Sequence, residues 1–76
     1  MILFRIKELI AEKEKRENRK VTQQEISQHT GVNRTSLSKM QNPDMKYSAT
    51  TSAIDSLCRY FDCKVEDILV YVKDPE

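Results

Sequence analysis

The sequence is short of the residues that build turns, cross-links and enclosed sites. It holds one glycine, Gly31, and two prolines in 76 residues, too few for a β fold with many tight turns. No tryptophan occurs and aromatics make up 7%, so there is no sign of the stacking platform that single-stranded RNA binders use. Two cysteines, Cys58 and Cys63, stand five apart with no second pair, which is neither CxxC spacing nor a complete zinc set. They read as small buried or half-buried thiols in a reducing compartment. The single histidine, His29, has no cysteine or carboxylate cluster around it in sequence and reads as a surface residue. Nothing places two carboxylates against a nucleophile, so neither an enzyme nor a metal or cofactor is expected. No apolar run approaches the ~20 residues of a membrane span. The start, Met1-Ile2-Leu3-Phe4-Arg5, lacks the basic region and long apolar core of a signal peptide. A cytoplasmic protein is the expectation.

What is present suits one small helical domain spanning residues 1–76. A chain this short buries only about 60% of its unfolded surface, so its core is small. Hydrophobic residues are 38% and charged ones 33%. The net charge is +1, but it is unevenly spread. Residues 1–47 carry ten Lys/Arg and six Asp/Glu, or +4, and residues 48–76 carry three and six, or −3, which together recover +1. A basic half is consistent with a face that meets a polyanion. It is equally consistent with a solvated, mixed-charge helix end over residues 13–20.

Residues 21–40 organise the chain. Thr22 is a good N-cap, and Glu25 three residues later completes a capping-box pattern. Ile26 anchors the first helix, and Ser27 is small enough for a second helix to cross closely. Gly31 follows, where a left-handed backbone costs a residue with a Cβ about 1 kcal/mol or more. Val32 tucks under the turn, Asn33 is a second N-cap, and residues 34–40 form the next helix. Leu37 and Met40, three apart, share its inward face. Arg34, Thr35, Ser38 and Lys39 face outward.

The flanks are helical too. Leu3, Ile6 and Ile10 recur at three- and four-residue spacing, with Leu9 beside them, which predicts a helix from residue 2 to about 18. Glu12 and Arg16 are four apart in the favourable order. Asn42-Pro43-Asp44 is a turn signal within a loop over residues 41–49. Thr50 or Thr51 caps a helix that runs to about Phe61, with Ala53, Ile54, Leu57, Cys58 and Phe61 as its buried stripe. A last helix spans 65 to about 70. Glu66 and Asp67 sit in its first turn, where carboxylates meet the positive end of the dipole, although Lys64 is a poor cap. Val70, Tyr71 and Val72 are β-formers that match Ile2, Leu3 and Phe4. A two-stranded pairing of these ends is an open option, weak unless it packs on the helices.

The two capped helices around Gly31 resemble a helix-turn-helix, and more narrowly the phage-repressor (Cro and Xre-like) class of transcriptional regulators. The resemblance rests on Thr22-Gln23-Gln24-Glu25-Ile26 and on the run Gly31-Val32-Asn33-Arg34-Thr35-Ser36-Leu37-Ser38-Lys39-Met40. Leu57-Cys58-Arg59-Tyr60-Phe61 and Val65-Glu66-Asp67-Ile68-Leu69 look like that family's fourth and fifth helices. It implies an all-α, five-helix, lambda-repressor-like domain that binds double-stranded DNA, with its second motif helix in the major groove. The positions of Arg34, Thr35, Ser38 and Lys39 are those that read bases in the family, and Ser36 lies at the same N-terminal end. Arg34 suits guanine O6 and N7, and Thr35 the methyl of thymine. Gln23 and Asn42 hold phosphate-contacting positions, with Lys46 and Arg19 or Lys20 as flanking candidates. So few base-reading side chains cover few base pairs, so a homodimer on a palindromic site is expected, with Ile68, Leu69, Tyr71 and Val72 as interface candidates. Core packing is the competing account for Ile68 and Leu69. The alternative function is a protein-interaction module of the same fold, antitoxin-like or scaffold, with little DNA binding.

Overall fold

A computed structural model describes residues 1–42 and 47–73. In chain order the elements are β1 (Ile2–Phe4), α1 (Ile6–Glu17), α2 (Gln23–Thr30), α3 (Arg34–Gln41), α4 (Thr51–Phe61), α5 (Val65–Ile68) and β2 (Leu69–Tyr71). Each helix supplies one fully buried aliphatic side chain: Ile6, Ile26, Leu37, Leu57 and Ile68. Leu9, Val21, Val32, Met40, Ile54 and Phe61 complete the core. Burial of one such side chain is worth about 1.5–3 kcal/mol, so five helices converge on a core too small for any of them to fold alone.

The caps form as the residue types dictate. Thr22 Oγ1 accepts from the Glu25 amide at 3.1 Å, Asn33 Oδ1 from the Thr35 amide at 2.7 Å, and Thr50 Oγ1 from the Ala53 amide at 3.1 Å. Gly31 takes φ 76° and its amide donates to Ser27 O at 2.8 Å, which ends α2. Asn18 and Asp62 end α1 and α4 in the same left-handed region, at φ 52° and 53°, a conformation that short polar side chains tolerate best after glycine. At α5, a lysine ammonium has no lone pair with which to cap. Asp67 Oδ2 instead accepts from the Lys64 amide at 3.0 Å, which makes up for the poor cap.

The chain ends pair as strands. β1 and β2 are antiparallel, with Ile2 opposite Tyr71, Leu3 opposite Val70 and Phe4 opposite Leu69. The pair does pack on the helices: Phe4 and Leu69 border the core, and the Phe4 ring meets Tyr47 edge-on at 6.2 Å. This corrects the first helix, which starts at Ile6 rather than at residue 2. Leu3 lies on a strand, and the Arg5 amide donates to Ile68 O at 2.6 Å. The long-range bond at Arg5 outweighs the helical spacing of Leu3 and Ile6. The last helix likewise stops at Ile68, because residues 69–71 pair with β1. On α1 the ion pair formed is Lys13–Glu17, at 2.7 Å, not Glu12–Arg16. The turn read at Asn42-Pro43-Asp44 runs into residues 43–46 and so falls outside those described.

Candidate nucleic-acid interface

The helix-turn-helix is fixed from both sides of its turn. The Thr30 hydroxyl donates to Ile26 O at 2.7 Å and accepts from the Val32 amide at 3.1 Å. That bridge across Gly31 is one sequence reading missed, although a threonine directly before the turn glycine is the type of residue that makes it. Buried Val32, Leu37 and Met40 then hold α3 against the body. At helical spacing, this leaves Arg34, Thr35, Ser38 and Lys39 on the opposite face, with Ser36 next to Met40.

Exposure follows that geometry. Arg34, Thr35 and Ser38 are exposed, and Lys39 is half-buried. Neither the Arg34 guanidinium nor the Lys39 ammonium has a hydrogen bond, ion pair or ring contact among the described residues. Ser36 is half-buried and lines a hydroxyl-rich depression between the turn and the start of α4, with Thr30, Tyr47, Thr50 and Ser56. Gln23, half-buried at the first position of α2, accepts at Oε1 from the Ser38 hydroxyl at 3.2 Å. Asn42 closes α3, its amide donating to Lys39 O at 3.2 Å. Lys20 is exposed. Lys46 lies outside the described residues.

Arg19 is placed differently from the other cations. Its guanidinium grips the Glu25 carboxylate with two prongs, at 2.6 and 3.0 Å, and its Nε donates to Glu17 Oε1 at 2.9 Å. The Tyr60 hydroxyl donates to Glu25 Oε2, the oxygen that also takes one prong of the fork. Lys13 pairs with Glu17 and sits 4.6 Å over the Tyr60 ring. This cluster ties the end of α1 to α2 and α4. It corrects the capping box at Thr22: the Thr22 half forms, but the Glu25 side chain turns to Arg19 and Tyr60 instead of back to the Thr22 amide. A charge-assisted fork is worth more than one amide–carboxylate bond. Arg19 therefore reaches a phosphate only by giving up that fork.

The electrostatics of the cluster follow from its partners. The Arg19 fork, aided by the Tyr60 hydroxyl, lowers the Glu25 carboxyl to about 2. Burial, then the bond to Glu25, pushes Tyr60 up to about 12. Glu25 and Glu17 raise Arg19 further, and Glu17 is lowered chiefly by its bond to Lys13. Tyr60 lies 35 residues from Glu25, and no local pattern in the sequence announces that meeting.

Other candidates are located as follows. Ile68 is fully buried and belongs to the core, which removes it from the interface candidates; Leu69 is half-buried, while Tyr71 and Val72 are exposed. Met1, Ile2 and Val70 are exposed as well, and the register puts Ile2 and Tyr71 on one face of the strand pair and Val70 on the other. Cys58 and Cys63 are free and half-buried. Burial, then the neighbouring Cys58, raises the Cys63 thiol to about 11. His29 is exposed, its ring 5.6 Å from that of Tyr60. No group of three His, Cys, Asp or Glu is placed to hold a metal among the described residues. No helix among them is long and apolar enough to cross a membrane.

A family model described as the Cro/C1-type HTH DNA-binding domain matches residues 5–74 of the 76. The chain belongs to that family, whose members bind DNA and regulate transcription and which is not a family of enzymes. No curated protein and no solved structure matches it.

Proposed function

We propose that this Cro/C1-type domain is a small transcriptional regulator that binds double-stranded DNA at a defined sequence, with α3 in the major groove. The observation that carries the reading is the pair of cationic side chains, Arg34 and Lys39, that have no partner among the described residues, on a face otherwise made of Thr35 and Ser38. A groove-sized α-helix with donors of this kind can discriminate base edges. Arg34 takes guanine O6 and N7, Thr35 offers its methyl to thymine, and Lys39 takes a guanine or a phosphate. Gln23 and the free first-turn amides of α2 suit a phosphate, as does Asn42, with Lys20 and Lys46 flanking. The polar character of this face supports DNA over a protein partner, which would call for an apolar one.

The domain acts as a homodimer on a palindrome, with half-sites about one helical turn apart. The supporting surface is the strand pair, where Ile2 is 59% and Tyr71 71% exposed. Apolar side chains that open to water favour a second copy. Selection of bound duplexes from a random library tests both points. The expected product is a short inverted repeat. Enrichment of no motif over the starting pool would refute sequence-specific binding, and a lone half-site would refute the dimer.

A further inference from the structure

The Ser38–Gln23 bond is the one side-chain to side-chain hydrogen bond that joins α2 and α3 among the described residues. It assigns roles to both groups. Ser38 has a single hydroxyl proton, and that proton is engaged, so toward a base it offers lone pairs only. Gln23 has its oxygen turned to α3, which leaves its amino group, with two N–H donors, as the free end. That end lies at the first position of α2, where the backbone amides of Gln23 and Gln24 precede the helix's own acceptors and the helix dipole is positive. These donors fit a ligand that only accepts, such as a phosphate oxygen.

We propose that Ser38 is a positioning residue for a phosphate contact made by Gln23, and not itself a reader of bases. This rests on the reading that the α2–α3 face meets duplex DNA. Without the Ser38 hydroxyl, the Gln23 amide rotates freely and must be ordered again on each encounter. The bond also links the groove helix to the backbone contact, so that α3 enters the groove at a register set by α2.

The test is a double-mutant cycle on the full chain, with binding measured by anisotropy at fixed salt on the selected duplex and on its single-base variants. Ser38→Ala and Gln23→Ala each weaken binding by about 3- to 10-fold, the size of one hydrogen bond in water. They do so on every duplex alike and without moving the melting temperature. The double variant binds no more weakly than the weaker single one, and Ser38→Thr, which keeps the hydroxyl, binds like the parent. Losses that multiply in the double variant would overturn the proposal. So would a change of base preference at one position in Ser38→Ala, or unchanged affinity in both single variants. Arg34→Ala, measured alongside, separates the two claims. If it leaves sequence preference intact, the base-reading face is wrong. If it abolishes preference while the Ser38 and Gln23 losses multiply, the face stands and the positioning role falls.

Discussion

Two sets of cations lie on this small domain, and they do opposite things. Arg19 and Lys13 are held by Glu25, Glu17 and the Tyr60 ring, and their charge is neutralised within the fold. Arg34 and Lys39, on α3, have no such partners among the described residues. Composition alone gives all four the same weight in a basic N-terminal half. The difference teaches that charge count says less about a nucleic-acid surface than which charges the protein has already satisfied. A guanidinium in a two-pronged ion pair must break it before it meets a phosphate, whereas an unpaired one gives up only water.

The bluntest way to break that contrast is to remove what holds α3 in place. Leu37 is fully buried beneath the outer face, and Leu37→Ala should cost about 2–5 kcal/mol of stability, read from the urea midpoint. DNA binding should fall with it. A substitution on the outer face should separate the two properties. Arg34→Ala is expected to remove about 1–3 kcal/mol of discrimination between the selected duplex and one altered at a single guanine, with the urea midpoint unmoved. At the turn, a Cβ on Gly31 meets nothing within 4 Å, so the cost of Gly31→Ala is the left-handed backbone alone. About 1 kcal/mol of lost stability is expected, and a much larger loss would point to a steric role for the elbow.

The smallest effect sharpens the inner side of the comparison. Glu25 is lowered from 4.5 to about 2 in the folded state. Its contribution to stability is therefore fully present above about pH 4.5 and is lost as pH falls toward about 2. Glu25→Gln should flatten the melting temperature of the protein against pH across that window and leave its shape near neutrality unchanged. At the other extreme Tyr60 is raised from 10.0 to about 12. Its hydroxyl bond stabilises below about pH 10 and is lost as pH rises through about 12, a limb that Tyr60→Phe should lack.

The outer face was legible in the sequence because its determinants are local. Thr22, Gly31 and Asn33 each act on a backbone group within four residues, and Leu37 and Met40 mark the inward side by spacing. From these, α3 and its exposed side chains follow. The inner cluster was not legible because its members meet only after folding. Glu25 fits a local capping box, yet Arg19 from the α1–α2 connection and Tyr60 from α4 offer better partners for its carboxylate. The strand pair shows the same limit. Leu3 and Ile6 have helical spacing, but residues 2–4 find partners 65 to 69 positions away at residues 69–71, and these fix the chain before α1 begins. Ile68 stood between two accounts, interface and core, because nothing near it in sequence says which side of α5 the core lies on; its complete burial gives it to the core.

The most direct test titrates three proteins against the selected duplex and a random one at the same salt: the parent, the double variant Arg34→Ala/Lys39→Ala, and Arg19→Ala. The double variant should lose the preference for the selected duplex while melting like the parent. Arg19→Ala should keep the preference while melting lower. The reverse outcome, with preference lost in Arg19→Ala and retained in the double variant, would contradict the assignment of the outer face of α3 as the surface that reads DNA.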